Sequence, residues 1–106
     1  MKTGIWISYD LGIKGDYPAL FAWLEDHGAR ECGDSVAFLR YEHTGPLLAG
    51  LRSELLPIVE GNRSARLYVV YQKGKNQAHS GTFLYGNRKA APWTGFGAAG
   101  EVVVDK

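Results

Sequence analysis

The sequence predicts an α+β domain in which two helices pack on one face of an antiparallel sheet. Three observations carry that expectation. Two segments, one over 17–27 and one opening at Pro46, place apolar residues at helical spacing and carry helix start and stop signals. Runs rich in β-branched and aromatic residues flank them, in the order strand, helix, short strand, strand, helix, strand. The chain has 106 residues, 45% hydrophobic and 22% charged, which suits one domain and is too short for two of ordinary size.

Thr3 to Tyr9 (TGIWISY) reads as the first strand, with Ile5, Ile7 and Tyr9 on one face and Trp6 on the other. Asp10 to Gly15 breaks it with two glycines. Asp16 is a good N-cap, because its carboxylate accepts free N–H groups of the first turn, and Pro18 costs no hydrogen bond there. Tyr17, Leu20, Phe21 and Leu24 form the apolar stripe of a helix over 17–27, and Gly28 closes it. Trp23 lies off the stripe, as a rim contact or part of a partner surface.

Ala29 to Asp34 supplies a brief strand and a turn at Gly33-Asp34, making a hairpin with a strand over 35–42 (SVAFLRYE). Leu47, Leu48, Leu51, Leu55 and Leu56 face the core from the second helix, which Pro57 is expected to end or kink. Arg66 to Gln72 (RLYVVYQ) is the clearest strand in the chain. Lys73 to Ser80 is a polar connection, and Gly81 to Tyr85 is a further strand. Beyond Gly86 only Glu101 to Asp105 looks strand-like. The result is the β-α-β-β-α-β plan of ferredoxin-like domains with extra C-terminal strands, and 86–106 reads as an extended tail used in dimer contacts.

Several function classes drop out on composition. One cysteine, Cys32, excludes an internal disulfide and a cysteine zinc cluster. No apolar run approaches the roughly 20 residues of a membrane helix, and the N-terminal stretch is too short for a secretory signal. The expectation is a cytoplasmic protein without a membrane partner. No P-loop is present, and Gly95 to Gly100 spells GxGxxG without the strand before and helix after that phosphate binding needs. His27, His43 and His79 lack metal-ligand spacing and read as structural.

Charge is divided unevenly. Residues 1–60 hold five Lys/Arg against nine Asp/Glu, whereas residues 61–106 hold seven against two. Arg63, Arg66, Lys73, Lys75, Arg88 and Lys89 are interleaved with Tyr68, Tyr71, Phe83, Tyr85 and Trp93. Basic and aromatic residues together suit single-stranded nucleic acid, through phosphate neutralisation and base stacking. The same section also suits self-association, its positive charge meeting the negative half of a second copy.

Asp10 ends the first strand beside an open glycine-rich loop. Two such carboxylates brought together by a twofold axis make an oxygen-rich Mg²⁺ site, the setting for phosphodiester cleavage. The plain alternative is a turn aspartate bonding its own backbone.

Ile7-Ser8-Tyr9-Asp10, the helix closed by Gly28, Ser35-Val36-Ala37-Phe38 and Ser64-Ala65-Arg66-Leu67-Tyr68 follow one another over residues 4–71. In this the chain resembles the small ferredoxin-like proteins of the CRISPR adaptation-subunit superfamily, with its VapD-type ribonucleases and SinR-named members. The resemblance implies a homodimer whose C-terminal strands add to the partner's sheet. It also implies that Asp10 matches the aspartate that holds a divalent metal at the dimer centre in the nuclease members; a nuclease reading would take Arg30 or Arg40 as its phosphate contacts. The chain departs from the pattern at Ala29-Arg30-Glu31-Cys32, where nucleic-acid-handling members carry several arginines. Ile5-Trp6-Ile7 and Ala37-Phe38-Leu39-Arg40-Tyr41 also resemble the strand signatures of RNA-recognition-motif domains, in which Trp6 and Phe38 would stack bases.

The expectation is therefore a homodimeric, non-catalytic module that binds nucleic acid or a protein partner. Its alternatives are a Mg²⁺-dependent nuclease using Asp10 and a single-strand RNA binder of the RNA-recognition-motif kind.

Overall fold

The computed structural model describes residues 1–97. Its elements are β1 (Lys2–Asp10), α1 (Tyr17–Asp26), β2 (Arg30–Glu31), β3 (Val36–Glu42), α2 (Leu47–Val59), β4 (Arg66–Gln72) and β5 (His79–Tyr85). The strand expected at Glu101 to Asp105 lies outside the described residues. The sheet runs β2-β3-β1-β4-β5, and every neighbouring pair is antiparallel. This is the ferredoxin-like order, two split βαβ units interleaved, with β5 added at one edge as a hairpin on β4.

Alternation along β1 sorts the sheet into two faces. Ile5 and Ile7 are fully buried while Trp6 and Ser8 are exposed. Ile5, Ile7, Leu39, Tyr41, Leu67 and Val69 meet Leu20 and Leu24 of α1 and Leu51, Leu55 and Val59 of α2 in one core. Both helices therefore cover one face, because that is where every second strand residue is apolar. Among the described residues no helix covers the other face.

The local signals act as the sequence indicates, with five differences. Leu56, expected on the core face of α2, is 43% exposed, because the buried stripe of that helix runs through Leu51, Leu55 and Val59. Asp16 accepts from the Ala19 N–H at 3.1 Å, and Gly28 takes φ +66° behind α1. Phe21, expected in the core stripe, is half exposed and packs edge-on to Tyr9 and tilted against Tyr17, because only Leu20 and Leu24 point squarely at the sheet. Ser35 belongs to the β2–β3 turn at φ +67°, where Val36 N–H reaches the Gly33 carbonyl, so β3 starts at Val36. Pro57 does not end α2, which continues to Val59. Its missing N–H falls in the last turn, and Leu55 and Val59 on either side are buried against the sheet. Finally, β5 begins at His79, placing in a strand a histidine that the polar sequence around it assigns to the loop.

Trp23 proves to be a rim residue of the core. Its indole donates to Glu54 Oε1 at 2.9 Å and stacks on His27 at 4.0 Å between centroids. The Tyr41 hydroxyl, from a side chain only 2% exposed, donates to Glu54 Oε2, and His27 Nε2 stands 3.3 Å from Glu54 Oε1. This polar knot ties α1, α2 and β3 together. Burial pushes the Glu54 carboxyl up, but the hydrogen bonds from Tyr41 and Trp23 and the neighbouring His27 outweigh it and leave the value lowered. Burial foremost, then the Glu54 hydrogen bond, raises the Tyr41 phenol.

Glu54→Ala is expected to lower stability by about 1–3 kcal/mol at neutral pH, since the buried Tyr41 hydroxyl loses its acceptor. A group with a lowered folded value stabilises above its ordinary range and loses that contribution as pH falls through the folded value. The gap between wild type and variant in urea unfolding should therefore narrow below the ordinary glutamate value.

Candidate functional site

Residues facing away from the helices form an aromatic surface. Trp6 of β1 lies opposite Phe38 of β3, their ring centres 4.9 Å apart, and His79 of β5 meets Trp6 at 5.8 Å. Ser8 lies opposite Tyr68 of β4, and Tyr68 packs edge-on to Phe83 of β5 at 4.8 Å. Tyr68 can lie along the sheet because Gly81, which pairs with Val70 two residues further along β4, carries no Cβ to collide with the tyrosine hydroxyl. The aromatic groups cross four strands, about 14 Å at the usual strand spacing.

Cations stand at both ends of this surface. Arg30 pairs in register with Phe38 on β2, and with Lys2 and Arg40 it lines a depression at the β3 edge. At the opposite end, Arg66 of β4 lies across from Asp10 of β1. Arg66 Nη2 donates to Asp10 Oδ2 at 3.3 Å, and the Gly12 N–H donates to Oδ1 at 3.2 Å. The Asp10 side chain is 49% exposed. Arg66 Nε is buried without a hydrogen-bond partner among the described residues.

Gly86 turns the chain back at this end with φ +83°. The segment behind it brings the Arg88 guanidinium 5.9 Å from the Tyr68 ring centre and 5.6 Å from that of Phe83. Two adjoining pockets result. One, of about 270 Å³, is lined by Ser8, Asp10, Arg66, Tyr68, Phe83 and Arg88. The other, of about 480 Å³, shares Arg66, Phe83 and Arg88 and adds Lys89, Pro92 and Trp93.

The structure thus brings together Asp10, Arg66, Arg88, Lys89 and Trp93, with Arg30 and Arg40 on the same face at the far edge. It does not bring in the rest of the basic and aromatic section. Tyr71 and Tyr85 pack against the core on the helix-covered side, and Lys73 and Lys75 lie on the β4–β5 connection at the other end of β4. Arg63 is exposed on the loop before β4. Ser8 and His79 enter the surface without having been singled out from the sequence. For Ser8 the signal was available in its parity with Trp6 and Asp10 along β1.

His27 and His43 have structural roles. His27 Nδ1 donates to the Trp23 carbonyl at 2.7 Å, and His43 Nδ1 donates to the Gly45 carbonyl at 2.7 Å. Among the described residues no three His, Cys, Asp or Glu side chains gather as a metal site. Asp10 is engaged by a guanidinium, which competes with a cation for the same oxygen. A cation at Asp10 would have to displace Arg66 from that oxygen, and the site that the resemblance implies draws its second carboxylate from the Asp10 of another copy. No helix of the described residues is long and apolar enough to cross a membrane.

Comparison with known protein families, curated proteins and solved structures gives no match to this chain.

Proposed function

We propose that the chain is a non-catalytic binding module that holds single-stranded nucleic acid across the open face of its sheet. One observation carries the reading: Phe38, Trp6, Tyr68 and Phe83 lie on a face that no helix of the described residues covers, flanked at both ends by arginines. Aromatic rings accept unstacked bases of any sequence, and arginines neutralise the phosphates that run past them. A duplex keeps its bases stacked inside and leaves the rings unused.

The charge division of the sequence agrees with this placement. Arg66, Arg88 and Lys89 from the basic second half stand at one end of the surface, and Arg30 and Arg40 at the other. Four arginines facing one strand imply the release of about two to four counterions, a log–log salt slope near −2 to −3 for single strands.

Fluorescence anisotropy with labelled single-stranded RNA and DNA of about ten nucleotides tests the proposal. Binding that weakens with salt along that slope, and a much weaker response to the matching duplex, is the expected result. Absence of binding at low salt overturns it. In that case, sedimentation showing that Trp6→Ala converts a dimer to a monomer would assign the same face to a second copy.

A further inference from the structure

We infer that the two adjoining pockets at the Asp10 end receive one guanine nucleotide of the bound strand, its base in the first pocket and its phosphate in the second. The inference rests on the single-strand reading and adds a sequence preference to it.

The pockets differ in chemistry although they share a wall. Among the described residues the second is lined by Arg66, Arg88 and Lys89 with no carboxylate, a setting for an anion, and Trp93 adds an apolar surface. The first contains the one carboxylate of the pair among the described residues, Asp10, together with the Ser8 hydroxyl and the rings of Tyr68 and Phe83. A carboxylate beside the phosphate track repels the backbone, so it is costly there unless it meets a hydrogen-bond donor. Asp10 can still accept. Among the described residues each of its oxygens takes one bond, from Arg66 and from the Gly12 N–H, and each has a second lone pair.

Bases differ in what they offer to such a group. Guanine presents two adjacent N–H donors, N1–H and the 2-amino group, beside the O6 acceptor. Adenine and cytosine offer one amino group on the equivalent edge, and uracil one ring N–H. A carboxylate beside an arginine matches the guanine edge: two donors meet Asp10, and the acceptor meets the guanidinium. Arg66 is short of acceptors, since its guanidinium makes one hydrogen bond among the described residues, at 3.3 Å, while Nε is buried without a partner. Arg88 lies over Tyr68 and Phe83 at the boundary of the two pockets, where it reaches both a stacked base and its phosphate.

The test compares decanucleotides of uridine with those carrying one central guanosine, adenosine or cytidine, each against wild type and Asp10→Asn. The guanosine strand is expected to bind wild type about tenfold more tightly than the others, the discrimination of one good two-point base contact. Asp10→Asn replaces one acceptor by a donor and should erase that advantage. Because it also removes a negative charge, a loss cannot be attributed to weaker phosphate attraction. Thermal unfolding checks that the variant is folded. If it is not, Arg88→Gln on an exposed side chain takes its place and should cost more affinity for GMP than for guanosine, since the phosphate contact is lost only in the first.

Equal binding of all four strands overturns the guanine site and leaves the single-strand reading standing. A guanosine preference that survives Asp10→Asn also overturns it. If no strand binds, the single-strand reading fails, and titration with GMP, AMP, CMP and UMP decides the pocket alone: selective GMP binding that Asp10→Asn abolishes supports it, and any other result overturns it.

Discussion

Trp6→Ala is expected to weaken binding of a single strand by about tenfold while leaving the fold in place, because one base–aromatic contact contributes about 1–3 kcal/mol. Trp6 is the centre of the open surface. It touches Phe38 on one side and His79 on the other and is 39% exposed, so its ring is both fixed and available. Its strand neighbours Ile5 and Ile7 point into the core, and removing the indole leaves that packing untouched. Anisotropy titration reads the affinity, and a urea melt reads stability, which should change by less than about 1 kcal/mol for a surface truncation. Trp6→Phe should restore most of the affinity, since a ring of either kind stacks. If Trp6→Ala and wild type bind alike, the aromatic face is not the site.

Gly86→Ala is expected to reduce both stability and binding. The residue has φ +83°, and an added Cβ would come 2.5 Å from the Ala65 carbonyl oxygen and 3.1 Å from the Arg66 Cα. Both obstacles are backbone, so no side-chain rotation relieves them. Strain of this kind costs about 1–3 kcal/mol, a fall in Tm of roughly 4–8 °C per kcal/mol for a domain of this size. The turn at Gly86 also aims the segment bearing Arg88, Lys89 and Trp93 across the end of the sheet. Displacing it should remove Arg88 from Tyr68 and Phe83 and lower affinity even at temperatures where the variant is folded. Gly45→Ala is the contrast: an added Cβ there meets nothing within 4 Å, and neither property should change appreciably. Equal loss at both positions would show that the effect is not specific to the turn.

Much of this architecture is legible in the chain because its signals are local. Asp16, Pro18 and Gly28 delimit α1 through backbone hydrogen bonds within a turn of each residue, and the period-two pattern of RLYVVYQ needs no partner to be recognised. The misplacements have a common origin in packing. Pro57 ends helices in isolation, yet here the burial of Leu55 and Val59 carries α2 past it. His79 looks like a loop residue by composition, yet the ladder with Gln72 draws it into β5.

The candidate site divides along the same line. The sequence by itself determined the order of the elements, the aromatic and basic character of the second half, and the position of Asp10 at the end of the first strand. It could not determine which of those residues share a surface. Tyr68 and Tyr71 look alike in the run RLYVVYQ, but pleat parity sends Tyr68 to the open face and Tyr71 into the core layer. Asp10 and Arg66 stand 56 residues apart and became neighbours only through the register of β1 with β4. Arg88 reached them only because Gly86 reverses the chain. Faces and registers are properties of pairing between distant segments, and the tertiary structure alone decides them, since a shift of one residue in either strand would carry that strand's share of the constellation to the opposite side of the sheet.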